Sequence, residues 1–259
     1  MGVPEHVIRY WQAQDAFLDS REATWWGAVV TDRRFPRVWD ANYARVDREA
    51  PDLTMNEIAE ALIPALRAAG AETFHVVSFV ADHTTALMDE LAGAGHTLSW
   101  DLVMDLDVER LLPADPSIQV EQLSPGDELW DIVRATFPLF GGYVADAGED
   151  LLRIESTVMA AGGKRWFGVR DADGSVLSVV AVQSLAGVGY IDDVATFPAA
   201  RGLGLASELT LAACRTVLEE GARHVWLMAD PDQDAVRRMY GRLGFKDAGH
   251  LASTKGPLP

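Results

Sequence analysis

The stretch Asp193-Val194-Ala195-Thr196-Phe197-Pro198-Ala199-Ala200-Arg201-Gly202-Leu203-Gly204-Leu205-Ala206 reads as a strand, a turn and the first turn of an amphipathic helix. That layout suits a phosphate group. The first N–H groups of a helix have no internal partner and lie at the positive end of its dipole, so they bind anionic oxygens. Gly202 and Gly204 have no Cβ to hold an anion away, Ala206 continues the clearance into the helix, and Arg201 adds positive charge. A plain surface turn would use the same glycines for backbone geometry alone, so the reading depends on what surrounds the turn.

The elements around it follow from hydrophobic periodicity. Residues 118–123 alternate as a half-buried strand, and Ser124-Pro125-Gly126-Asp127-Glu128 starts a helix running to Phe137. A second helix is expected over 149–161. Strands over 165–170 and 176–184 flank the turn Asp171-Ala172-Asp173-Gly174 and form a hairpin. A strand over 190–197 leads into the turn, and the helix 205–220 buries Leu205, Leu209, Ala212, Ala213 and Val217 before Gly221 ends it. A strand at 225–228, a short helix over 235–243 and a last strand over 247–252 complete this half. Two prolines in Leu111-Leu112-Pro113-Ala114-Asp115-Pro116-Ser117 mark a join, giving expected domains at 1–112 and 117–259.

The first half repeats part of this pattern. A helix over 56–69 stops at Gly70 as the later one stops at Gly221. Residues 74–77 parallel 225–228, and 86–95 parallel 235–244. The copy lacks the chemistry: Ala50-Pro51-Asp52-Leu53-Thr54-Met55 stands where 201–206 stands and has no glycine, and Leu91 takes the place of Tyr240.

Composition removes several classes of function. A net charge of −17 repels a polyphosphate backbone, which argues against nucleic acid and favours cationic ligands. No uncharged apolar run reaches the ~18 residues of a membrane span, and the N-terminus lacks a secretory pattern, so a cytoplasmic protein is expected. The single cysteine, Cys214, rules out an intrachain disulfide and reads as a core thiol. The histidines show no zinc-site spacing and no Gly-x-Ser-x-Gly occurs, so no metal ligand and no serine nucleophile is assigned. Trp25-Trp26 and Trp39-Asp40-Ala41-Asn42-Tyr43 are candidates for an acceptor pocket, although core packing is the commoner fate of such aromatics.

Two linked segments carry a resemblance. Arg201, Gly204 and Ala206 fit the Arg/Gln-x-x-Gly-x-Gly/Ala signature of the GNAT N-acetyltransferases, and Asp232, Ala235, Tyr240, Gly244 and Phe245 resemble that family's later Asn-x-x-Ala-x-x-x-x-Tyr-x-x-x-Gly-Phe segment. Asp232 departs from the usual asparagine. The resemblance covers about 118–252 and implies an α/β (α+β) chain of two tandem GNAT-like domains. Each would be a mixed, mostly antiparallel sheet flanked by helices, with the first domain degenerate.

It further implies acetyl-CoA as co-substrate. Arg201, Gly202, Leu203, Gly204, Leu205 and Ala206 would hold the pyrophosphate, the backbone of Val194, Ala195 and Thr196 would hold the pantetheine arm, and Asp232 would lie beside it. The acceptor would be a primary amine of a cationic small molecule or peptide, attacking the thioester directly. Such an amine must lose a proton, and Asp192 or Asp193 is the candidate base. Because side chains alternate along a strand, only one of the pair can face the acceptor; the resemblance, which places an acid at the parity of Asp192, implies that Asp192 faces it and Asp193 points away. Tyr240, a phenol protonated at neutral pH, is implied as donor to the departing thiolate. The rival readings are a non-catalytic acyl-CoA-binding or regulatory protein and a purely structural partner; a homodimer stays open.

Overall fold

The computed structural model describes residues 2–140 and 147–258, which fall into two compact units. Unit 1 holds residues up to 103 together with 248–259, and unit 2 holds 104–247.

In unit 1 the elements are α1 (Glu5–Gln14), β1 (Ser20–Ala23), β2 (Gly27–Thr31), β3 (Tyr43–Val46), α2 (Met55–Ala69), β4 (Thr73–Ser78), α3 (Thr85–Gly93) and the greater part of β5 (Thr97–Leu106). Strands β1, β2 and β3 form an antiparallel meander, α2 crosses over, and β4 lies parallel to β3. Helix α2 begins on a capping box, in which Thr54 accepts from the Glu57 N–H while Glu57 reaches back to the Thr54 N–H. It ends at Gly70 in the left-handed region at φ 73°. Ile58, Leu62 and Leu66, one face of α2, pack with Phe74, Val76, Leu87 and Leu91.

Unit 2 runs β6 (Glu121–Leu123), α4 (Asp127–Phe140), α5 (Gly148–Ile154), β7 (Arg165–Arg170), β8 (Val176–Leu185), β9 (Val188–Thr196), α6 (Leu205–Glu219), β10 (His224–Ala229), α7 (Asp234–Arg242) and the start of β11 (Phe245–Pro257). Its sheet has the order β10-β9-β8-β7-β6, antiparallel except that β10 lies parallel to β9. A meander, a crossover helix and a parallel strand occur in both units. Gly189 lets α6 lie close on β9: a Cβ there would sit 2.5 Å from a Val217 methyl.

Two expected elements take a different form. The last strand runs on to Pro257, because 252–257 pair antiparallel with β4; those residues group with unit 1, whereas the sequence reading kept 117–259 together. The helix expected over 149–161 is α-helical only to Ile154 and widens to a π-turn over Glu155–Met159. Ser156 Oγ and Thr157 Oγ1 both donate to the Arg153 carbonyl, at 3.3 and 2.5 Å, and such back-bonding competes with the helical ladder. No helix of the described residues is long and apolar enough to cross a membrane.

Candidate functional site

The glycine turn between β9 and α6 uses both of its glycines in a conformation that other residues rarely adopt. Gly202 and Gly204 lie in the left-handed region at φ 82° and 80°, and Gly204 is the N-cap of α6. A Cβ built on either glycine meets no protein atom within 4 Å, so the space before the helix N-terminus is open. Arg201 Nε donates to the Thr196 carbonyl at 3.3 Å, closing the turn onto the end of β9, and Leu203 stands out at 62% exposure. Leu205 is buried and seats the first turn of the helix in the core. Ala206 accepts from Thr210 Oγ1 at 2.8 Å through its carbonyl, inside the same helix.

The strand before the turn parts from its neighbour. The β9–β10 ladder runs from Val188–His224 to Ile191–Leu227 and ends there, whereas β8 stays paired with β9 through Thr196. Among the described residues, Val194 and the Thr196 N–H thereby have no ladder partner in β10, whereas Ala195, expected to join them, faces β8 because strand backbone groups alternate between the two edges. On the other edge Ser178 Oγ donates to the Ala195 carbonyl at 2.9 Å and bonds Thr196 Oγ1 at 2.8 Å, which holds this part of the strand in place.

The acidic pair departs from strand alternation. Val179 opposes Ala195 and Ala181 opposes Asp192, so Asp193 and Val194 together face the single residue Val180, and Asp193 adopts φ 48°. This is a β-bulge, whose extra residue re-aims the side chains around it. Both carboxylates consequently turn the same way and each accepts a hydrogen bond of 2.8 Å from Lys164 Nζ. The expectation that Asp193 points away is therefore corrected, because alternation holds only where the ladder is regular.

Lys164 is the residue that sequence reasoning missed. It lies just before β7, its side chain is only 4% exposed, and its ammonium also sits 2.9 Å from Glu155 Oε2 at the head of the π-turn. The ring of Trp166 lies 5.6 Å from Nζ. Gln183 Nε2 donates to the Gly162 carbonyl at 2.9 Å and fixes the loop that delivers the lysine. Burial disfavours the lysine's charge, but Asp192, Asp193 and Glu155 outweigh it and hold its pKa well above the ordinary value. Burial, reinforced by the neighbouring aspartates and opposed by Lys164, pushes the Glu155 carboxyl up to about 7. Asp193 is raised as well, by burial and then by the charge of Asp192.

Tyr240 is buried on α7, edge-on to Phe245 with ring centroids 5.8 Å apart. Burial first, then the negative charge of Asp192, raises its pKa, so the phenol keeps its proton throughout the neutral range. Asp192 and Tyr240 thus share one electrostatic environment. Asp232 lies before α7 in an exposed turn, its N–H donating to Asp230 Oδ1 at 2.9 Å. Cys214 is fully buried and burial pushes its thiol up to about 12, as befits a core residue. Among the first-half aromatics, Trp26 and Tyr43 are core residues: Tyr43 donates to Asp15 at 2.6 Å while accepting from Trp11. Trp39 carries the Lys255 ammonium 4.2 Å above its ring, and Trp25 is exposed.

Residues 127–245 match the family model described as Acetyltransferase (GNAT) family. A stretch of 63 residues is 38% identical to the N-alpha-acetyltransferase MAK3 of Arabidopsis thaliana; it amounts to 24% of this chain and spans 33% of that protein's length. Among solved structures, the chain is similar to a GCN5-related N-acetyltransferase from Kribbella flavida, with TM-score 0.70 and 18% identity over 99% of this chain and 96% of that one. A functionally unknown conserved protein from Staphylococcus epidermidis gives TM-score 0.69 and 13% identity over 92% and 91%. A tandem GNAT protein from the clavulanic acid biosynthesis pathway gives TM-score 0.56 and 16% identity over 84% and 76%. At these identities the structural likenesses establish the fold.

Proposed function

We propose, on the match of residues 127–245 to the GNAT acetyltransferase family model, that the chain transfers the acetyl group of acetyl-CoA to a primary amine of a cationic small molecule by direct attack. The observation that carries this reading is the parting of β9 from β10 after Ile191, on the same strand-turn-helix segment as the left-handed N-cap at Gly204. Open backbone groups for an extended arm and a helix N-terminus for phosphates then follow each other along one strand-turn-helix segment.

In this reading the N–H groups at 202–206 receive the pyrophosphate, with Arg201 adding charge, and Val194 and Thr196, on either side of Ala195, hold the pantetheine amides. Asp232 borders the arm but, as a carboxylate, cannot donate the hydrogen bond an asparagine would. Asp192 receives the acceptor ammonium. The Lys164 cluster sets three carboxylates against one buried ammonium, and this surplus of negative charge favours a cationic acceptor. A carboxylate of the cluster takes the ammonium's proton, the free amine attacks the carbonyl, and the C–S bond breaks as the nitrogen loses its second proton to solvent. Tyr240, still protonated, gives its proton to the thiolate. Unit 1 keeps the topology but not the glycine turn or the tyrosine, so it serves a structural role. A cytoplasmic location agrees with a lone buried thiol and with the co-substrate.

Calorimetric titration with acetyl-CoA and with CoA, followed by thiol release against a panel of polyamines, aminoglycosides, amino acids and N-terminal peptides, tests the proposal. Micromolar binding with thiol release on one of these amines is expected. Binding without release for any amine would favour the non-catalytic acyl-CoA-binding reading, and no binding of either ligand would overturn the enzyme.

A further inference from the structure

The Lys164 cage contains more acid than the ammonium can neutralise, and its three carboxylates are not equivalent. Lys164 Nζ donates to Asp192 and Asp193 at 2.8 Å each. Glu155 Oε2 pairs with the same nitrogen at 2.9 Å. The glutamate is the most enclosed of the three, with 13% of its side chain exposed against 28% and 27% for the aspartates. Two ionised aspartates against one ammonium already leave a surplus negative charge, so a third carboxylate in the same enclosure is the one that takes up a proton. The π-turn places it there: such insertions re-aim side chains and recur at functional sites.

We propose that Glu155 is the carboxylate that takes the proton from the acceptor amine, while Lys164 acts as the positioning residue that keeps Asp192 and Asp193 ionised for binding the acceptor. This rests on the acetyltransferase reading. Proton and electrons balance within the site: the acceptor ammonium gives one proton to the Glu155 carboxylate, its nitrogen forms the amide as the C–S bond breaks, and the thiolate is protonated by Tyr240. The nitrogen's second proton leaves as the adduct collapses to the neutral amide and re-protonates Tyr240 through solvent, while Glu155 returns its proton to solvent, so that one proton is released per turnover. The groups facing Glu155 are Lys164 beside β7 and Asp192 and Asp193 on β9, and its titration near neutrality reflects all three together with burial. A base titrating there is ionised at working pH yet basic enough to accept a proton.

The first test needs no acceptor. Carboxyl 13C shifts of glutamate-labelled protein are followed from pH 4 to 9, with Glu155 assigned by its absence in Glu155→Gln. A midpoint near neutrality, moved up by about one unit or more in Lys164→Met, is expected; a midpoint below pH 5 would overturn the proposal. Next, thiol release from acetyl-CoA with the accepted amine is measured against pH. Glu155→Gln is expected to lower kcat about 100-fold and abolish the acidic limb, with acetyl-CoA affinity within about twofold of the parent. Glu155→Asp should restore part of the rate together with the limb. An acidic limb that persists in Glu155→Gln overturns the assignment in favour of Asp192. Acetyl-CoA that does not bind at all overturns the acetyltransferase reading, and the catalytic role with it, whatever the carboxyl midpoint.

Discussion

The Asp193 carboxylate accepts a 2.8 Å hydrogen bond from Lys164 on the same side as its neighbour Asp192, a geometry that a regular strand forbids. It exists because Asp193 occupies a left-handed bulge position, which aspartate tolerates better than most residues. Once three carboxylates converge, the lysine becomes the group on which the cluster depends. Lys164→Met should destabilise the protein by about 3–5 kcal/mol at pH 8, as breaking a buried ion pair does. The deficit should shrink at pH 5, where protonated carboxylates no longer need a counter-charge. Urea unfolding at the two pH values checks this, and an equal loss at both would mean the cluster is not held by charge.

Tyr240 is a second point of attack. Its hydroxyl acts only as the thiolate leaves, so Tyr240→Phe should lower kcat about 100-fold and leave acetyl-CoA affinity unchanged. The ring remains packed against Phe245, so the melting temperature should hardly move. Equal turnover in parent and variant would remove the proton-donor role.

The turn at Gly204 separates a backbone requirement from a ligand requirement. At φ 80° a valine is badly strained, by roughly 1–2 kcal/mol or more, whereas asparagine tolerates the conformation. Gly204→Asn should therefore fold, yet its side chain would enter the open space before α6 and weaken acetyl-CoA binding at least about tenfold. Gly204→Val should lose binding altogether. Calorimetry of both distinguishes the cases, and normal binding by the asparagine variant would mean the phosphates lie elsewhere.

These predictions differ in how much of their basis could be read from the chain. Helix α6 and its turn were legible because apolar spacing, two glycines and an arginine are local signals, and the pseudo-repeat was legible because Gly70 and Gly221 stop equivalent helices. The β-bulge was not, since Asp192-Asp193 looks like any acidic pair until the register with β8 is known. Lys164 follows Gly162-Gly163 and reads as a loop cation; only packing brings it to residues 28 and 29 positions away. Glu155 falls inside a segment that reads as continuous helix, and its widening to a π-turn leaves no mark in the apolar spacing. The destination of the last strand depends on pairing with β4, which no local pattern encodes.

Glu155 also predicts how stability varies with pH. Its carboxyl is raised from an ordinary value of 4.5 to about 7, so the folded state binds the proton more tightly than the unfolded chain. The associated stability is fully present below about pH 4.5 and is lost as pH rises through 7, a change on the order of 3 kcal/mol. Asp193, also raised, acts in the same direction. Glu155→Gln cannot ionise, so it should be more stable than the parent at pH 8, with the advantage disappearing by pH 5. Chemical denaturation from pH 5 to 8 reads the difference directly, and parallel curves for parent and variant would show that Glu155 is already ionised in the folded protein at pH 5.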